Sequence, residues 1–167
     1  MILYGLGGFT GLHAELLMQE AISPVCAPEV AKTLRSINDL ERHTILRDAL
    51  QNVGSPPSWE FWAEEAGFTL PQLPLSRQFG QANMVIQAAI QGLGVAMGRG
   101  PLVADAIAQG LLVCPFENVV ASQFSYWLVC RHDALKSQKV RLFCEWLHEQ
   151  TAAQDAESLR GNTVPTH

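Results

Sequence analysis

Basic residues are scarce in this chain: 11 lysines and arginines stand against 16 aspartates and glutamates, a formal net charge of −5 at pH 7. They come singly or in loose groups such as Lys136, Lys139 and Arg141. Proteins that grip nucleic acid carry a basic stripe, because neutralising phosphates supplies much of the affinity. With no such stripe, direct contact with DNA or RNA is not expected. Long apolar runs are also missing. The longest weakly polar stretch, 84–97, is broken by Gln87, Gln91 and two glycines, so no membrane span is expected. No basic segment precedes the apolar start, as it would in a secretory signal, and a cytoplasmic location is expected. The four cysteines form no C-x-x-C and sit among apolar neighbours, which reads as buried, reduced thiols.

Catalytic patterns are absent too. There is no G-x-S-x-G, and so no nucleophile elbow. The five histidines (His13, His43, His132, His148 and His167) share no metal-ligand spacing. Glu64 and Glu65 are adjacent, and neighbours on a helix point apart. His132-Asp133 reads as a polar turn. The chain is therefore expected to need no metal or cofactor and not to be an enzyme.

What is present begins with glycine. GLGGFTG, Gly5 to Gly11, follows a short apolar run. A dinucleotide loop needs glycine at its first, third and sixth positions, but the sixth here is Thr10. A Walker loop needs Gly-Lys-Ser/Thr, and no lysine occurs before Lys32. The stretch reads as a link between extended segments.

With 48% apolar residues, the 167-residue chain can build a core as one domain or two small lobes. Met1–Tyr4 reads as a strand. Leu12–Ala21 (LHAELLMQEA) is rich in helix formers, and local propensity predicts a helix over 12–20. AISPVCAP reads as a strand between prolines. Pro28–Leu34 and the Ser36-capped turn with Asp39 read as short helices. Thr44–Leu46 reads as a strand and NVGSPPS as a loop. A helix over Trp59–Ala66 is capped by Ser58 and stopped by Gly67, with Trp59, Trp62 and Ala63 on one face. Arg77–Phe79 follows as a strand, and Gln81–Gln91 as a helix with Met84, Val85, Ala88 and Ala89 on its apolar side. Then come strand Gly94–Gly98, helix Pro101–Gln109, strands Leu111–Cys114 and Phe124–Cys130, and helix Ser137–Gln150 with Ser137 as cap. This alternation predicts an α/β class with a mainly parallel sheet. Gln81 and Asn83 sit at a strand-to-helix junction. They could meet a ligand there or merely cap the helix. Tyr126-Trp127 reads locally as core.

In series, these segments resemble a known pattern. ILYGLGGFTGLHAELLMQEAISPVCAPEVA, SWEFWAEEAGF, QANMVIQAAIQGLGVAMGRGPLVADAIAQGLLVCPF and YWLVCRHDALKSQKVRLFCEWLHEQ are similar, in order, to the effector-binding domain of LysR-type transcriptional regulators. The branch is that of the glycine-cleavage and β-lactamase regulators. The resemblance implies a two-lobed, type 2 periplasmic-binding-protein-like fold whose cleft takes a small-molecule effector. It also implies that Leu12–Ala21 is extended, against local propensity, and that GLGGFTG is a turn near the cleft mouth. It places Tyr4 and Gly5 on the first-lobe side, Phe79, Gln81 and Asn83 on the second-lobe side, and Tyr126 near the hinge. Gly8 and Phe9 stand where the branch often has an acidic residue and a Trp.

The implied division is 1–23 and 126–150 in the first lobe, 24–125 in the second, and a disordered tail over 151–167. The winged helix-turn-helix, the linker helix and the opening strand and helix of the first lobe have no counterpart here. The resemblance thus implies a truncated chain with an incomplete first lobe, an unpaired strand edge, exposed apolar surface and either poor solubility or obligate association. The expected function is effector sensing that modulates transcription through a DNA-binding region outside this chain. The expected partners are a small molecule and a homo-oligomer or full-length relative. The alternatives are an interaction fragment that pairs with an intact regulator, or a non-functional truncated product.

Overall fold

The computed structural model describes residues 1–49 and 58–158. The chain forms two compact units: Met1–Glu20 with the chain from Ala121 through the C-terminal helix, and Ala21–Val120.

In the first unit, β1 (Ile2–Gly5) pairs antiparallel with β6 (Val120–Cys130), Ile2 opposite Leu128 and Gly5 opposite Ser125. The other neighbour of β6 is β2 (His13–Val25). Helix α5 (Gln138–Ser158) covers this sheet, with Cys144 buried against Leu17 and Leu128, and Val140 and Leu147 beside them. These α5 positions show the i, i+4, i+7 spacing of one helix face. The opposite face leaves Leu142, Phe143 and Trp146 about half exposed. A short 3-10 turn, His132–Lys136, leads into α5.

In the second unit, the end of β2 pairs antiparallel with β5 (Val95–Arg99), Ile22 opposite Arg99. The middle strand β3 (Ile45–Asp48) pairs parallel with both β5 and the edge strand β4 (Ser76–Phe79). One face carries α1 (Pro28–Ala31), a 3-10 turn (Ile37–Arg42) and α2 (Trp59–Glu65) over a cluster that includes Ile22, Leu40, Ile45, Trp59 and Trp62. The other carries α3 (Ala82–Ile90) and α4 (Gly100–Ala108) over Val25, Leu46, Val85, Ala89 and Leu112. Layers on both faces explain why β5 is buried along its whole length rather than on alternate residues. At Gly94 a Cβ would stand 2.1 Å from the Thr44 carbonyl oxygen, so no other residue fits there without moving β3.

Local signals held where the interaction itself is local. Ser58 Oγ accepts the Phe61 N–H at 3.1 Å, and Gly67 follows α2 at φ +77°. Ser36 and Asp39 form the capping box. Elsewhere the structure corrects the local reading. The helix that local propensity predicts over 12–20 is strand β2, extended as the family resemblance implies, because pairing with β6 outweighs a weak propensity. The sheet is mixed, not mainly parallel: β1 with β6 and β2 with β5 are antiparallel, and β3 with β4 and with β5 is parallel. Leu111–Cys114 forms no strand but a single bridge, Val113 to Cys26. Strand β6 starts four residues before Phe124, and α5 runs on past Gln150 to Ser158. Met84 lies on the solvent side of α3, about half exposed. NVGSPPS, Ser58 apart, lies outside the described residues.

Candidate functional site

In the first unit the antiparallel register sets Tyr4 opposite Tyr126, with ring centroids 5.0 Å apart. Phe124, two residues earlier on the same face of β6, stacks on Tyr4 at 5.3 Å. The Tyr4 hydroxyl donates to Glu20 Oε2 at 2.5 Å, and Glu20 is fully buried. Two expected residues, Tyr4 and Tyr126, thus meet in one aromatic wall with a carboxylate behind it. The Gly5 carbonyl accepts the Trp127 indole N–H at 3.0 Å. Phe9 packs edge-on against the same indole at 6.2 Å. Gly7 has φ +89°, and a Cβ there would meet Trp127 at 2.8 Å. GLGGFTG is therefore a turn moulded on Trp127, and its glycines serve packing and backbone conformation.

In the second unit the carboxyl ends of parallel strands β3 and β5 and the start of α3 converge, the place where open α/β sheets bind ligands. Asp48 ends β3 and Arg99 ends β5; both are buried. With Ala82, Val85, Ile86, Met97 and Leu102 they line a small cavity of about 10 Å³, room for about one water. Phe79 and Asn83 lie elsewhere. With Met84, Gln87, Ala88 and Gln91 they line an open groove of about 320 Å³ along α3. Gln81 occupies the N-cap position of α3 but makes no side-chain cap. Asn83 Oδ1 accepts the N–H of Met84 at 3.0 Å.

Glu20, Asp48 and Arg99 escaped the sequence reading. Asp48 and Arg99 had a signal: each closes a short apolar strand with a charge (ILRD, VAMGR). Glu20 had none, because LHAELLMQEA looks like a helix whose acids face water.

The chemistry offered is recognition. Carboxylates, a guanidinium, phenols and amides can orient a small polar molecule. Among the described residues no group of three or more His, Cys, Asp and Glu is placed to hold a metal ion. The cysteines are free thiols. Burial pushes Cys26 up to about 12, with Cys114 nearby adding to the shift, and burial also raises Cys114 itself. Such thiols are poor nucleophiles. No helix among the described residues is long and apolar enough to cross a membrane.

Comparison with known proteins settles the kind of domain. A family described as the LysR substrate binding domain matches residues 1–152. The chain belongs to the LysR substrate-binding domain family. The glycine cleavage system transcriptional activator of Escherichia coli K12 is 34% identical over 156 residues, covering 92% of this chain and 50% of the activator. The transcriptional activator AmpR of Pseudomonas aeruginosa is 31% identical over 155 residues, again covering 92% of this chain and 50% of the relative. This LysR-family chain thus spans about half the length of these curated relatives. The X-ray structure of the Pseudomonas aeruginosa AmpR effector domain superposes with TM-score 0.76 at 31% identity, over 95% of this chain and 74% of that domain. The Citrobacter freundii AmpR effector-binding domain, 23% identical with TM-score 0.74 over 91% of this chain and 74% of that domain, shows the same fold. That fold is the type 2 periplasmic-binding-protein-like one.

Proposed function

We propose that this chain is the effector-sensing part of a LysR-type transcriptional regulator and acts in the cytoplasm without enzymatic turnover. The observation that supports this most is the match through residue 152 to a substrate-binding domain whose curated relatives are transcriptional regulators. The effector is a small polar molecule; the residues proposed to contact it are Tyr4, Gly5 and Tyr126, with Glu20, in the first unit, and Phe79, Gln81 and Asn83, with Asp48 and Arg99, in the second. No metal or cofactor takes part. Binding shifts the population of conformations, and a DNA-binding region outside these residues reads the shift.

The test is a thermal-shift screen of amino acids and small carboxylic acids. A binder should raise Tm in proportion to the logarithm of its concentration. Tyr4→Phe, which removes the hydroxyl bonded to Glu20, should weaken that binder. A screen in which nothing stabilises the chain, or a binder indifferent to Tyr4, Asn83 and Arg99 substitutions alike, would sink the reading. In a gel shift at physiological salt this acidic chain should leave DNA unshifted.

A second reading, pairing with another copy or a full-length relative, is favoured by the exposed Leu142, Phe143 and Trp146. Concentration-dependent sedimentation would show it.

A further inference from the structure

Two of the five histidines, far apart in sequence, meet one carboxylate in the first unit. His13 and Glu15 lie two residues apart on β2, on the same face of the strand. His13 Nε2 stands 2.5 Å from Glu15 Oε1. His148, on α5 and 133 residues from Glu15, brings its Nε2 to 2.8 Å from Oε2. An ionised carboxylate only accepts, so both imidazoles must carry hydrogen on Nε2. Each carboxylate oxygen therefore takes one imidazole. The three side chains are about a third exposed, within reach of solvent protons.

The rest of the surroundings adds no competing strong charge on the carboxylate. From the 3-10 turn, His132 packs edge-on against His13 at 6.0 Å. From α5, Cys144 and Glu145 are near; Cys130 on β6 and the Met1 amine act on Cys144. The clasp sits beside the Leu17–Leu128–Cys144 cluster that holds α5 to the sheet.

We infer that His13, Glu15 and His148 form a proton-dependent clasp that fastens α5 to β2. The imidazole hydrogen bonds, that of His13 first and that of His148 next, hold the Glu15 carboxyl below its usual range; burial opposes them and the imidazolium charges add to them. For a depressed carboxyl, the contribution is present above the unfolded value, about 4.3, and is lost as pH falls through the lower folded value. Because the carboxylate is ionised, each imidazole N–H bond to it is charge-assisted. The clasp is firm while the carboxyl is ionised and opens as it takes up a proton.

Hydrogen exchange of α5 backbone amides, compared at each pH with the same peptides of wild type, reads the clasp directly. Glu15→Gln mimics the protonated acid. It should speed exchange near 144–151 roughly threefold to tenfold between pH 5 and 7, with α3 unchanged as control. As pH falls through the lowered folded value of the wild-type carboxyl the ratio should fall toward one, because that carboxyl is then itself neutral. His148→Ala, which removes one of the two donors, should also speed exchange there and carries the test if E15Q does not fold. A ratio of one at pH 6 in the folded variant, or a ratio that stays constant down to about pH 2, would overturn the clasp.

Discussion

The two units reach stability by different means. The second builds cores on both faces of its sheet, with Trp59, Trp62, Ile22, Ile45, Leu46 and Leu112 wholly buried. Among the described residues the first buries Leu17, Leu128, Val129 and Cys144 as core, while Ile2, Leu6, Leu16, Leu142, Phe143 and Trp146 remain in contact with water. Buried apolar area is the dominant favourable term in folding, so the second unit should be the more stable foldon. In the first, polar ties such as Glu15 to His148 and Trp127 to Gly5 carry a larger share.

That contrast can be broken most severely at Trp62. The ring is fully buried against Phe68 and Phe116, and its indole donates to the Asn118 carbonyl. Trp62→Ala should cost about 3–5 kcal/mol in chemical denaturation. Gly94→Ala comes next, at about 1–3 kcal/mol, because its Cβ meets fixed backbone. Leu17→Ala in the first unit should cost about 2 kcal/mol, at the low end for a buried leucine because its surroundings are thin. A Leu17 cost above that of Trp62 would reverse the ranking of the units. Ser58→Ala removes the cap of α2 and should cost about 1 kcal/mol by the same measurement. Trp146→Ser should change monomer stability by under about 0.5 kcal/mol while reducing self-association in sedimentation; a large loss of stability would mean that α5 buries more than the free chain shows.

How much of the site could be read from sequence depends on the distance over which each contact acts. Gln81 and Asn83 were singled out by their place at a strand-to-helix junction, whereas Tyr4, Phe79 and Tyr126 came from resemblance, since nothing in a tyrosine four residues into the chain announces a ring partner 122 positions away. Asp48 and Arg99 were missed, because the strands read from sequence stopped at Leu46 and Gly98, short of the charges that end β3 and β5. Glu20 was not legible: in a helix it would face water, and only the extended backbone turns it inward. The same switch explains His13 and Glu15, which share a face only because β2 is a strand.

By itself, the sequence determined the limits of α2, α3 and α4 and the class of domain. Ser58, Gly67, Gly92 and Gly110 act through hydrogen bonds and backbone angles within a few residues, so their effect does not depend on the rest of the chain. Local propensity gave LHAELLMQEA as a helix and the family resemblance gave it as extended, as it is in β2. Tertiary structure alone decided that Val113 bridges to Cys26 and that one carboxylate serves two histidines. Propensity differences are a fraction of a kcal/mol per residue, roughly, and backbone pairing with β6 overrides them. That pairing joins residues that only the folded chain brings side by side.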